Sequence, residues 1–364
     1  MAFSGGKTKL MIGNLLKFNK TSHEFSGEAI VAGLSRIVIG DLEAVKEEPL
    51  YGFAGWRHNR VTVSDTEAVI GGHLHFQLIQ AARKVPGNLL KDECRRQELA
   101  YMQQNSAQYV PSKERKRIKA ETKERLLKDT RVSITPTDIA IDMNTGSVYV
   151  DATSNKVFDT IVSLFHQATG VEIIGFTSEL PVTDMQPLAL VSNKPSDPLA
   201  DYKDFLTWLW FLSEEQGGKI TMGAEGRIIE SIVEGPLTMA SQDREAKGAM
   251  FATLRNGAFP QVSSEAKAAL LIGKKLQKCK LTLVREGMIW AGTFNADAFA
   301  FSALSLPEGE SMTQEDRFID TMENLKTLRD MLTTYFNAFS TANTDLRKDT
   351  LEKMDKWATD RDEY

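Results

Sequence analysis

The densest concentration of a single chemistry in this chain is cationic. Between residues 113 and 131 stand nine basic side chains, Lys113, Arg115, Lys116, Arg117, Lys119, Lys123, Arg125, Lys128 and Arg131, against four acidic ones. The stretch carries +5 in a chain whose formal net charge is −5. Ammonium and guanidinium groups at this density suit a polyanion. Each phosphate they neutralise releases condensed counterions, so affinity is indifferent to base sequence and falls with salt. A plainer reading stays open, because Glu121–Arg125 and Glu124–Lys128 are spaced as the i,i+4 pairs of any solvated helix. A second positive island runs from Lys267 to Arg285, where six basic residues, among them Lys274, Lys275, Lys278 and Lys280, meet no acid.

Other reactive residue types are sparse. "SGGKT" near the N-terminus ends like a phosphate loop, but the first glycine of that motif would fall before Met1 and no strand precedes it. His73 and His75 lie two apart on a presumed strand and so face one side, where they could share a metal. With five histidines in the chain, an edge-strand surface pair is the simpler expectation. Asp142 and Asp151 flank a presumed hairpin; such carboxylates could hold a metal for phosphodiester hydrolysis or only tie a turn. Cys94 and Cys279 have neither metal-ligand spacing nor an evident partner. No nucleophile elbow, reactive-cysteine context or dinucleotide fingerprint occurs. No catalytic motif and no cofactor is expected from the residues alone.

The elements that must position these groups alternate between strand and helix. "PSKERKRIKAETKERLLKD" reads as a basic helix. With the polar helical stretch from Asn88 it makes a pair broken near Pro111, with few apolar positions, expected to project from the body. "TRVSITPTDIAIDMNTGSVYVD" reads as a β-ribbon turning at "MNTGS". "GGHLHFQLIQAARKV" reads as a strand, ended by Pro86-Gly87. "PLYGFAGWRH" reads as a loop anchored by Tyr51, Phe53 and Trp56. "SNKVFDTIVSLFHQATG" is an amphipathic helix with Gly170 at its C-cap. "DYKDFLTWLWFLSEE" reads as a helix with Phe205, Trp208, Leu209 and Leu212 on one face, packed into a core. Short strands follow at "KITM", "RIIESI" and "GPLTM", then helices at "DREAKGAMFATLRNG" and "SSEAKAALLIGKKLQ", the latter capped by Ser263 or Ser264. "KCKLTLVREGMIWAGTF" turns at Glu286-Gly287. A long helix runs from about Gln314 to Phe339, and an acidic, mobile tail is expected after it.

At 364 residues the chain can hold two or three domains. The expected fold class is α+β, with antiparallel sheets and packed helices. Residues 1–86 with 139–190 form a central domain, 87–138 a projecting basic unit, 196–340 a C-terminal α+β domain and 341–364 the tail. The proline-rich stretch "PVTDMQPLALVSNKPSDPL" marks the main boundary. No apolar run reaches the length of a membrane span, and no secretory signal is evident, so a cytoplasmic location is expected.

The order of these features resembles the RdgC family of bacterial recombination-associated DNA-binding proteins. The likeness runs from about Gly52 to Phe339 through "GFAGW", "AARKVPGNLL", the basic helix into "ERLLKDTRVSITPTDIAIDMNTGSVYVDATSNK", then "SSEAKAALLIGKKLQKCKLTLV" and the long closing helix. The resemblance implies a homodimer closing into a ring around duplex DNA, bound without sequence preference, nucleoid-associated, and restraining RecA-driven strand exchange. It implies a finger built from the basic helix and a hairpin tip at Arg131, Val132 and Ile134. It also implies a gate or wall near Arg255 and Lys274. The chain departs from the family at both places: the tip lacks an exposed aromatic, and "RNGAFP" leaves Arg255 as the nearest gate cation. The first set of cations, with Arg255, Lys274, Lys275, Lys278 and Lys280 as a second set, is expected on phosphates. Two alternatives from other classes remain, a metal-dependent nuclease or phosphoesterase using Asp142 or Asp151, and an interaction scaffold whose basic helix binds an acidic partner.

Overall fold

The computed structural model describes residues 3, 6–57, 63, 65–179, 201–241, 250–255, 260–309 and 313–359. Its first part runs β1 (Thr8–Leu15), α1 (Gly27–Leu34), β2 (Leu50–Gly55), α2 (Asp65–Ala68), β3 (Val69–Ile70), β4 (His73–Arg83), α3 (Gly87–Gln104), α4 (Ser112–Asp129), β5 (Val132–Asp142), β6 (Ser147–Val150), α5 (Asn155–Thr169) and β7 (Ile173–Gly175). The second part runs α6 (Tyr202–Glu215), β8 (Lys219–Met222), β9 (Arg227–Ser241), β10 (Phe251–Leu254), α7 (Ser264–Leu271), β11 (Lys274–Arg285), β12 (Met288–Asn295), β13 (Ala300–Ser305), α8 (Gln314–Asn343) and α9 (Arg347–Thr359).

The fold is α+β, and the described strands join one antiparallel sheet in the order β10-β9-β11-β12-β13-β1-β6-β5-β4-β2, with β3, β7 and β8 paired to β4, β1 and β9. β1 sits where the two parts meet, pairing with β13 on one side and β6 on the other. Its side chains alternate between two cores, as the period of two in a strand requires. Leu10 and Ile12 join the core built with α6, α8 and α9, whereas Met11 and Leu15 join the core under α1 and α5.

α8 laces the sheet together. Thirty residues at ~1.5 Å each give a rod of ~45 Å. Phe318 near its start stacks on His75 of β4, ring centroids 4.5 Å apart. Arg329 midway donates to Ser147 Oγ and Asn14 Oδ1, both at 2.8 Å. Phe336 and Phe339 near its end pack on Phe205 of α6. Recurrence of apolar residues every three or four positions keeps one stripe of the helix on the sheet throughout.

Several sequence expectations need correction. "PLYGFAG" is not a loop but mostly strand β2, with Phe53 and Trp56 each 2% exposed. Its glycine serves close approach: a Cβ at Gly52 would lie 2.3 Å from the Ile39 backbone nitrogen. "RIIESI" and "GPLTM" are one strand, β9, held along β11 and β10. Residues 251–254 of the first expected helix form β10; 242–249 and 256–259 lie outside the described residues, as does the whole of the expected domain boundary. The tail expected to be acidic and mobile instead packs on the body as helix α9, with Met354, Trp357 and Ala358 buried. α6 is buried all around from Asp204 to Leu212, not on one face. The Gly170 C-cap, the Ser263 N-cap and the Glu286-Gly287 turn stand where expected, the last with positive φ at both residues.

Candidate nucleic-acid interface

α3 and α4 are inserted between two adjacent strands. β4 ends at Arg83 and β5 begins at Val132, and these two residues form the last rung of the β4–β5 ladder. The chain therefore leaves the sheet, climbs α3, turns over 105–111 and returns down α4. Eighteen residues per helix at ~1.5 Å place that turn ~27 Å along the pair from its root. Arg131, Val132 and Ile134 are thus not a hairpin tip but the root of the helical pair, Ile134 facing Ala81 across the ladder. The far end presents Tyr109, 73% exposed.

α4 buries only Ile118, Thr122 and Leu126, a stripe at i, i+4 and i+8; α3 has no fully buried residue. At 100° per residue this stripe sorts the cations. Arg115 lies in line with it and Arg125 at its border, and both reach α3: Arg115 Nε lies 3.2 Å from Glu98 Oε1, and Arg125 Nη2 lies 2.9 Å from Glu93 Oε2. The hydrogen bond from Arg125 holds the Glu93 carboxyl below its ordinary range. Lys123 Nζ reaches Glu47 Oε1 at 2.6 Å. Arg117 pairs along its own helix with Glu114 at 2.8 Å and Glu121 at 3.1 Å. Of the expected intrahelical pairs, Glu121 meets Arg117 in place of Arg125, which turns to α3, and Lys128 makes no ion pair among the described residues.

Lys113, Lys116, Lys119, Lys128 and Arg131 are exposed and make no ion pair among the described residues. Lys113, Lys116 and Lys128 project from the side of α4 away from the buried stripe, with Lys119 toward its border. The sequence reading missed Lys91 and Arg95 of α3, which are likewise exposed and unpaired among the described residues. It also missed Tyr109; an aromatic in the polar turn "NSAQYVP" was the available signal.

The second set does not hold together as a phosphate-facing surface. Lys274 and Lys275 are each 8% exposed. Lys275 Nζ lies 2.5 Å from Oδ1 of Asp204, which is itself fully buried, so that charge is spent inside the protein. Cations counted as one island have different surroundings along β11: the adjacent Lys274 and Lys275 at its start are covered by packing, whereas Lys278 and Lys280 are exposed. Lys278 and Lys280 emerge on the solvent side, Lys280 paired with Glu234 at 2.7 Å, and Arg255 is exposed after β10.

The remaining candidates are structural in their present contacts. Asp142 accepts from Asn144 N and Thr145 Oγ1, both at 2.8 Å, and closes the β5–β6 turn. Burial raises its pKa, but these donors and the charges of His73 and Lys326 leave it below the ordinary value. Asp151 accepts from Lys9 N at 2.9 Å and Thr8 Oγ1 at 3.2 Å, tying β1. His75 is not on a surface edge: it is buried between the rings of Trp56 and Phe318, with Nε2 3.2 Å from Asp138 Oδ1. Among the described residues no group of three or more His, Cys, Asp or Glu side chains is placed to hold a metal ion, and no helix is long and apolar enough to cross a membrane.

No curated protein matches the chain. A family model does, over residues 49–187, and its description is "Putative exonuclease, RdgC". The matched region takes in β2 through β7, including the whole α3–α4 pair and the strands that root it. Over this segment, which carries the exposed lysines of α4, the chain is similar to the RdgC family.

Proposed function

We propose that the protein binds duplex DNA without sequence preference through the outward side of the α3–α4 pair. The similarity of residues 49–187 to the RdgC family supports a recombination-associated DNA-binding role in general terms. The observation that carries the specific reading is the sorting of α4: cations beside the buried stripe are spent on α3, while Lys113, Lys116, Lys119 and Lys128 have no ion pair among the described residues. Ammonium groups on a helix, without a base-reading motif, track phosphates. Tyr109 at the far turn adds a ring on which an unstacked base can lie. Two copies closing into a ring around the duplex would hold it topologically, and occupancy of DNA would restrain RecA-type strand exchange.

The test is duplex binding across a salt series, comparing wild type with a Lys113→Ala, Lys116→Ala, Lys119→Ala variant. Affinity should fall equally for all sequences, and the log–log salt slope should flatten by about 0.9 for each phosphate no longer neutralised. An unchanged slope would take α4 out of the interface.

The family description favours a second reading, an exonuclease. End-labelled duplex incubated with the protein and Mg²⁺ or Mn²⁺ separates the two: progressive shortening from an end supports the nuclease, retained length the binding protein.

A further inference from the structure

Arg83 closes β4 at the root of the helical pair, and its guanidinium is used in an unusual way. Among the described residues it meets no carboxylate. It gathers backbone carbonyls from two separate segments instead. Nη1 donates to Thr130 O at 2.7 Å and Lys128 O at 3.1 Å, with Leu127 O at 3.5 Å; Leu127 and Lys128 lie in the last turn of α4 and Thr130 is its C-cap. Nε donates to Val45 O at 2.9 Å, and Nη2 lies 3.5 Å from Leu42 O. The backbone N–H of Arg83 adds a bond to Lys46 O at 2.9 Å.

A helix C-terminus concentrates partial negative charge and leaves carbonyls without intrahelical donors. A guanidinium offers five donors in a fixed plane and can serve several such carbonyls at once, where an ammonium would act as a point. The same 42–47 segment also holds α4 from the side, through Glu47 and Lys123 at 2.6 Å. The pair α3–α4 is otherwise sparsely attached, since α3 has no fully buried residue and α4 has three. Its direction relative to the sheet therefore depends on a few polar contacts at its root.

We infer that Arg83 is a positioning residue: it clamps the C-terminal end of α4 to the 42–46 segment and so sets the direction in which the helical pair presents its free cations to DNA. The clamp rests on the DNA-binding reading for its purpose but not for its existence. The Arg83 guanidinium is turned onto backbone carbonyls, so its proposed role is to position α4 and not to bind phosphate.

The experiment uses the full chain with Arg83→Gln and Arg83→Lys. Amide hydrogen exchange, measured without DNA, should show faster exchange in Arg83→Gln confined to residues 42–46 and the last turn of α4. Arg83→Lys should lie between that variant and wild type. Unchanged exchange there would overturn the clamp whatever the protein does with DNA. Duplex affinity of Arg83→Gln at fixed salt should drop about five- to tenfold, because a loosened pair must be ordered on binding, while the salt slope stays that of wild type. A slope lower by about 0.9 would make Arg83 a phosphate ligand and overturn the positioning role, as would an unchanged affinity. Should Arg83→Gln fail to fold, Arg83→Lys carries both arms. Should wild type not bind duplex at all, the DNA reading falls and the exchange result still decides the clamp.

Discussion

Individual lysines in this chain have opposite fates that their identities do not reveal. Lys275 ends beside Asp204 in the interior, and burial, aided by the nearby Asp201, pushes the Asp204 carboxyl up to about 6 in spite of Lys275. An acid whose pKa is higher folded than unfolded takes up a proton on folding between the two values. Its contribution to stability is complete below the unfolded value of 3.8 and is lost as pH rises through about 6. Wild-type urea stability should therefore carry a component that declines from pH 4 to pH 6.5, of roughly 3 kcal/mol at most by conversion of the shift. Replacing both partners, Asp204→Asn with Lys275→Met, avoids stranding either charge and should flatten the profile in that window. A profile unchanged by the double replacement would mean that other groups dominate it. At the same scale, Asp142 and Asp151 show why a carboxylate at a strand end is weak evidence for catalysis: both serve local hydrogen bonds here.

Two helices show how an element acquires a role from what lies beneath it. α4 is almost entirely polar, and its narrow stripe of Ile118, Thr122 and Leu126 divides fifteen other positions into inward and outward sets. The charge of α9 reads as an acidic, mobile tail, yet its Trp357 is 2% exposed and T-stacked on Trp210 at 5.1 Å. Both indole N–H groups donate to one carboxylate, Glu214, at 2.7 Å each. Burial raises the pKa of Glu214, and the two indoles and Lys267 oppose that rise. Trp357→Ala removes a large buried ring and one of these donors together. Thermal denaturation should show a loss of about 3–5 kcal/mol, the usual range for such a truncation. A melting curve superimposable on wild type would show that α9 is not fastened there.

For the whole molecule the continuous sheet and α8 matter most. β1 contributes to both cores, and α8 touches β4, β1, β6 and α6 in turn, so the two parts share structural members. A body of this kind is a stiff base from which a thin helical pair can be presented. The proposed dimeric ring is tested by topology and mass together. Sedimentation should give twice the 40.5 kDa chain mass. Complexes preloaded on closed circular duplex should outlast a jump to high salt, and should dissociate once the circle is cut. Equal lifetimes on circles and on linear DNA would argue for an open clamp or a simple surface contact.

What the sequence determined by itself was periodic or punctuated. The α8 repeat, the amphipathic α5 with its Gly170 cap, the β11–β12 turn and the break of the basic pair at Pro111 depend on neighbours within a few residues. The dense local charge of residues 113–131 was legible for the same reason. The tertiary structure alone decided which charges remain available. Lys275 is consumed by an aspartate seventy-one positions earlier, Arg115 and Arg125 by the neighbouring helix, and Lys123 by a loop far back in the chain. It likewise made β2 a strand, because the glycine that suggested a loop is where another segment's backbone lies against it. Composition records that a charge or a glycine is present; only packing brings the distant partner that neutralises the one or requires the other.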